Sequence, residues 1–267
     1  MAKVLGYRDS GEEVKLLQKA LNEKVGLKMS TDGVFGKLTE EALRTFQARQ
    51  GLKQTGVYDE DTQGLLAGFI DGKYLRIDTI VERAKAEGIP PSMLLAFKEV
   101  ESKDNGFLAD GRPIILFERH KFYSWLVKSK GQSFAQSVAA THPNICNPER
   151  GGYYGYEREY DRLKIAEGFS VEGAWSSSSW GMFQVMGFNY NLCGYLNVST
   201  FIQDMRQSET KHLDAAIGYL KKVNGLMTAM KQRNYTRVAE MYNGKDQQGY
   251  DTKLREADMR YIQKGYR

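Results

Sequence analysis

The chain has 267 residues, with 38 Lys and Arg against 33 Asp and Glu, for a formal net charge of +5. That length fits one large domain or two unequal ones, and 41% hydrophobic with 27% charged residues can bury a real core. No apolar run approaches the roughly 20 residues of a membrane span, and the bases are scattered among acids, which argues against stable membrane insertion and against nucleic acid as a partner.

The opening residues, MAKVLGYRDSGEE, lack the apolar stretch of a secretory signal, so synthesis as a soluble cytoplasmic chain is expected. Cys146 and Cys193 have no CxxC spacing and read as two buried free thiols, with a disulfide between them left open. His120, His142 and His212 show no pairing at metal-ligand spacing, so no metal or cofactor is expected.

The first segment runs from about Leu5 to Leu66. In SGEEVKLLQKALNE, Ser10 followed three residues later by Glu13 has the pattern of a capping box. Val14, Leu17, Gln18 and Leu21 then recur at helical spacing. Asp32-Gly33 marks a turn, and Thr39 is placed to cap a helix carrying Ala42, Leu43 and Phe46. The passages DGVFGKLTEEAL and TGVYDEDTQGLL look like a weak internal repeat. A small three-helix unit with glycine-bent connections fits. Its Leu17-Gln18, Asp32-Gly33-Val34-Phe35-Gly36, Phe46-Gln47 and Gly56-Val57-Tyr58-Asp59 resemble the peptidoglycan-binding-like domain of cell-wall hydrolases. The resemblance implies targeting to peptidoglycan over residues 1–68. AGFIDGKYLRIDT, residues 67–79, carries two glycines and no helical period, and reads as a short semi-rigid linker centred on 69–78.

Residues 79–267 are mainly helical in pattern. IDTIVERAKAEG is amphipathic and ends at Gly88, and Pro90-Pro91 suits a helix start. Further helices are expected near residues 118–129, 156–167, 199–222, 228–242 and 251–263. NPERGGYYGY and WSSSSWGMFQVMGFNY, rich in glycine, serine and aromatics, read as loops and cleft walls.

One helix carries the strongest chemical signal. At about 100° per residue, Met93, Ala96, Phe97 and Val100 form an apolar arc, and Glu101 falls inside it. Glu99 falls on the far side, near Leu95 and Lys98, as a solvated or ion-paired residue. A carboxyl at the last turn of a buried face is desolvated and meets the negative end of the helix dipole. Both effects raise its pKa, which suits a proton donor to a glycosidic oxygen. The alternative is a structural glutamate held by an arginine. Glu118, emerging from the apolar run PIILF, is a second carboxylate for a base or electrostatic role, or a structural partner of Arg119 or Arg162.

Two further stretches join Glu101-Ser102. They are Gly181-Met182-Phe183-Gln184 and Met241-Tyr242-Asn243. In this order the three resemble the lysozyme-like pattern of lytic transglycosylases and goose-type lysozymes, with departures only at apolar or small positions. RPIILFERHKFY and NPERGGYYGYEREYDRL extend the likeness to the N-acetylmuramidase domain of modular phage endolysins. The resemblance implies a lysozyme-like α-helical catalytic domain with Glu101 as general acid and Glu118 as second carboxylate. Ser102, Phe183, Gln184, Tyr242 and Asn243 would contact or frame the glycan. It also implies a monomer that needs no cofactor. Made in the host cytoplasm, it would reach periplasmic peptidoglycan after another protein permeabilises the membrane. A lytic transglycosylase and a non-enzymatic wall-binding phage protein stay open as alternatives.

Overall fold

A computed structural model describes residues 4–70, 72–102, 106–108, 110–244 and 249–267. The chain forms two compact units, residues 1–79 and 80–267. No helix among the described residues is long and apolar enough to cross a membrane.

The first unit packs α1 (Glu12–Val25), α2 (Lys37–Arg49) and α3 (Glu60–Ile70) around Val14, Leu17, Leu21, Phe35, Leu43, Phe46, Tyr58 and Leu66. The internal repeat is physical. The Gln18 side chain on α1 donates to Asp32 Oδ1, the Val34 carbonyl and Thr39 Oγ1, and accepts from the Gly33 N–H. Gln47 on α2 does the same one repeat later, donating to Thr55 Oγ1, the Val57 carbonyl and Thr62 Oγ1, and accepting from the Gly56 N–H. Each buried amide ties the loop ahead of the next helix to that helix's first turn.

Two capping expectations are corrected here. Ser10 pairs with Val34 as an isolated β-bridge, and Gly11 takes the cap position of α1. Thr39 lies inside α2, buried, because its hydroxyl is taken by Gln18. The expected linker is also shorter than its span. α3 runs to Ile70 and α4 (Ile77–Glu87) begins at Ile77, so both ends of residues 69–78 are helical.

The second unit continues with α5 (Pro91–Glu101), a strand β1 (Ile115–Phe117), α6 (Arg119–Lys130), α7 (Gln132–Thr141), α8 (Glu159–Glu167) and α9 (Val171–Ser176). Two more strands follow, β2 (Ser178–Trp180) and β3 (Val185–Met186). The remaining helices are α10 (Val198–Gln207), α11 (Glu209–Lys222), α12 (Leu226–Lys231), α13 (Tyr235–Asn243) and α14 (Tyr250–Gln263). The architecture is mainly helical, as expected. The strands form one antiparallel sheet in the order β1-β2-β3, pairing Ile115 with Trp180 and Trp180 with Val185. Phe117, Phe122, Leu126, Leu163, Trp180, Phe201 and Met205 lead its core.

Four readings of this half change, the first being the helix expected over 228–242, which is broken between α12 and α13 where Arg233 takes a left-handed backbone. The serine run expected as loop is the buried central strand, with Ser178 and Trp180 fully enclosed. The helix expected over 199–222 breaks at Ser208, whose side chain caps α11 by accepting from the Lys211 N–H. α5 is buried all round as far as Phe97, so Leu95, expected on the solvent side, is only 2% exposed. The rest of the expectation holds at its end: Glu99 is exposed and pairs with Arg260.

Candidate active site

Three segments converge on one cleft of about 330 Å³. α5 brings Glu101 as its last residue. The turn between β2 and β3 brings Phe183 and Gln184, and the end of α13 brings Tyr242 and Asn243. Val185, Met186, Asn189 and Tyr219 complete the lining.

Phe97 is the hub of this arrangement. It lies one helical turn before Glu101 and therefore on the same face of α5. Its ring stacks on Phe183, with centroids 6.0 Å apart, and meets the edge of Tyr242 at 5.2 Å. One buried phenylalanine thus fixes two cleft walls against the helix that carries the carboxyl.

Glu101 is largely enclosed. Burial pushes its pKa above the usual carboxylate range. The neighbouring Tyr250 and Tyr242 hydroxyls pull the other way, without cancelling it. Burial and the Glu101 charge in turn raise both phenols. The carboxyl is thereby biased toward its protonated form among neutral neighbours.

Gln184 lines the cleft, but its amide is spent on the fold. It adopts a left-handed backbone, φ 47°, rare for a residue with a side chain. Three side-chain bonds hold that conformation: Oε1 accepts from Ser179 Oγ at 2.7 Å, and Nε2 donates to the Gly181 and Ile114 carbonyls. Ser102 caps the end of α5, buried, with its N–H bonded to the Lys98 carbonyl, and is not among the cleft-lining residues. Trp180 is core, its indole N–H donating to the Trp175 carbonyl.

Glu118 belongs to a different constellation. It is 6% exposed and accepts from the Tyr153 hydroxyl at 2.8 Å and from Arg150 at 3.4 Å, with His120 Nδ1 at 3.1 Å. None of these residues lines the cleft with Glu101. The partners expected for it are engaged elsewhere. Arg119 donates to the Pro143, Glu149 and Arg150 carbonyls, and Arg162 is buried on Glu159 and the Phe117 carbonyl. The sequence reading missed Tyr219, which lines the cleft, and Tyr250, which acts on Glu101; both stand outside the three motifs, and only the tertiary packing brings them there. Met186 and Asn189 fall in the stretch expected to form cleft walls, and both line the cleft. Cys146 and Cys193 are free and buried, and burial pushes their thiols up to about 11 and about 12. No cluster of three or more His, Cys, Asp or Glu side chains fit for a metal occurs among the described residues.

Residues 90–262 match the family model described as N-acetylmuramidase. The chain belongs to the N-acetylmuramidase family. The match spans α5 through nearly all of α14, so every cleft residue of this muramidase lies within it. It is a lysozyme-type glycoside hydrolase. Residues 10–66 match a peptidoglycan binding domain, which gives the muramidase its first unit and peptidoglycan as its substrate. The muramidase is also similar to the crystal structure of an endolysin from Burkholderia AP3 phage. The two are 35% identical with a TM-score of 0.70, over 98% of this chain and 100% of the other. No curated protein matches it.

Proposed function

We propose that this muramidase is a phage endolysin whose Glu101 is the general acid for hydrolysis of the β-1,4 bond between N-acetylmuramic acid and N-acetylglucosamine. The observation that carries the reading is a single enclosed carboxyl, held toward its protonated form, in a cleft walled by Phe183, Tyr242 and Asn243. A proton donor to the glycosidic oxygen is what this cleavage requires. The proton passes from Glu101 to the leaving oxygen, the C1–O bond breaks, and water adds at C1 as it returns a proton to the Glu101 carboxylate. Asn189 and Asn243 supply amides to hold an N-acetyl group or that water. In this reading Glu118 holds the loop of Arg150 and Tyr153 and does not touch the glycan. Residues 1–68 bind the enzyme to the sacculus, 69–78 join the units, and 79–267 cut. The enzyme works as a monomer, reaching the periplasmic wall once another phage protein has opened the membrane. Likeness to a phage endolysin along nearly the whole chain supports this placing.

Glu101→Gln keeps the shape and removes the proton. Its lytic rate on purified sacculi is expected to fall by at least about 100-fold with folding intact. Near-full activity in a folded Glu101→Gln protein would sink the assignment.

A second reading, lytic transglycosylation, is favoured by one observation: Glu101 is the sole carboxylate among the described residues lining the cleft. In that reaction the muramyl 6-hydroxyl attacks in place of water. Mass spectrometry of the released muropeptides separates the two readings. Ends reduced by borohydride mean hydrolysis, and 1,6-anhydro ends mean transglycosylation.

A further inference from the structure

Tyr250 is the first residue of α14, directly after Gly249, and is 7% exposed. Its ring centroid lies 6.1 Å from that of Tyr242, and both hydroxyls act on the Glu101 carboxyl. The enclosed Tyr250 hydroxyl nevertheless has no hydrogen bond of full geometry. Buried hydroxyls nearly always find a partner, so this one calls for a reason. Packing alone would be served as well by phenylalanine.

The surroundings supply that reason. α14 packs along α5, which fixes Tyr250 beside the end of the helix that carries Glu101. From α13 the carboxyl meets Tyr242, and Tyr219 of α11 lines the same cleft. Glu99 of α5 is turned away to Arg260. Among the described lining residues no other charged side chain faces the cleft. Whatever charge appears on Glu101 must therefore be met by neutral donors.

We propose that Tyr250 is a positioning residue for Glu101, its unmet hydroxyl closing on the carboxylate as that charge forms in the reaction. The inference rests on Glu101 being the general acid. A protonated carboxyl is a weak acceptor and a carboxylate a strong one, so the contact strengthens as the proton leaves for the glycosidic oxygen. An interaction stronger in the transition state than in the ground state lowers the barrier. Tyr250 keeps its own proton throughout, because burial and the adjacent Glu101 hold its phenol far above the usual range.

The test uses the full chain with Tyr250→Phe, soluble uncrosslinked glycan strands, and a 13C NMR titration of the Glu101 carboxyl identified by its absence in Glu101→Gln. The expected result is a kcat lower by roughly tenfold, the worth of one bond to a charged group, with little change in KM. The Glu101 titration and the alkaline limb of the rate both move to higher pH, because a donor that favours the carboxylate is gone. Both staying at their wild-type positions overturns the proposal. Incorporating 3-fluorotyrosine at position 250 keeps the shape and strengthens the donor. It should move both to lower pH, and no movement overturns the proposal even where Tyr250→Phe fails to fold. A shifted titration in an enzyme that stays active as Glu101→Gln would instead overturn the reading of Glu101 as the acid.

Discussion

Glu101 is partly buried in a cleft among neutral neighbours, whereas Glu118, more deeply enclosed, meets an arginine, a histidine and a tyrosine. The first environment favours the protonated carboxyl. Burial lowers the pKa of His120 beside Glu118, so that pair is held mainly by the tyrosine and the arginine. Glu118→Ala leaves the Tyr153 hydroxyl and Arg150 without their acceptor. Because both partners are exposed to water, it is expected to cost at most about 1 kcal/mol of stability while the folded enzyme keeps most of its lytic rate. Thermal unfolding alongside activity per folded molecule checks this. A rate lower by 100-fold at unchanged stability would return Glu118 to the chemistry. Helix phase was enough to tell Glu101 from Glu99, because position around a helix decides which face meets the core. It could not tell Glu101 from Glu118, whose difference lies in residues 150 and 153, far along the chain. Tyr250 was illegible for the same reason, since its role depends on where α14 lands.

Among the elements, the repeated glutamine clamp shows how much order one side chain can hold. Gln47 sits fully buried on α2 and makes four hydrogen bonds to the loop and first turn of α3. Gln47→Ala removes them all and leaves the Gly56 N–H without its acceptor, while the Thr62 hydroxyl keeps only Asp59. A loss of about 3 kcal/mol is expected for the first unit, and Gln18→Ala should behave alike. Denaturant unfolding of the separate 1–79 segment would read this, and a loss below about 1 kcal/mol would mean that water or a shifted loop replaces the clamp. The repeat was legible as a pattern of glycines and apolar residues, but its cause was not. Caps assigned to Ser10 and Thr39 failed because both residues face a partner from another part of the repeat. The β2 strand was hidden because both of its faces are buried, so the serine run shows no alternation. The break at Ser208 was written in the sequence as a capping residue, yet the apolar period runs through it.

At the scale of the whole enzyme, two enclosed titratable groups set limits on working pH from opposite sides. Glu101 must carry a proton to act, so activity is lost as pH rises through its elevated pKa. His212 sets the other limit through the fold. Its ring is 1% exposed and packs against Phe107, with centroids 4.9 Å apart. Nδ1 accepts the Met182 N–H at 3.1 Å, which requires the neutral ring, and Nε2 donates to the Met205 carbonyl at 2.7 Å. A Cβ on Gly106 would stand 2.4 Å from the ring and one on Gly181 2.7 Å, so only glycine permits this approach. The histidine thereby holds the turn that presents Phe183 and Gln184. Burial lowers its pKa from 6.5 to about 4. Above pH 6.5 the ring is neutral in both folded and unfolded chains and costs nothing. Below that value the unfolded chain takes up a proton that the folded one refuses, so stability declines until the folded ring also titrates near 4. The drop over this window is about 3 kcal/mol for the catalytic unit. Unfolding free energies between pH 7 and 4, with the His212 ring followed by NMR, measure it directly. A ring that titrates near 6.5 in the folded enzyme would remove this limit, and the acid loss of activity would then have to arise at the cleft itself.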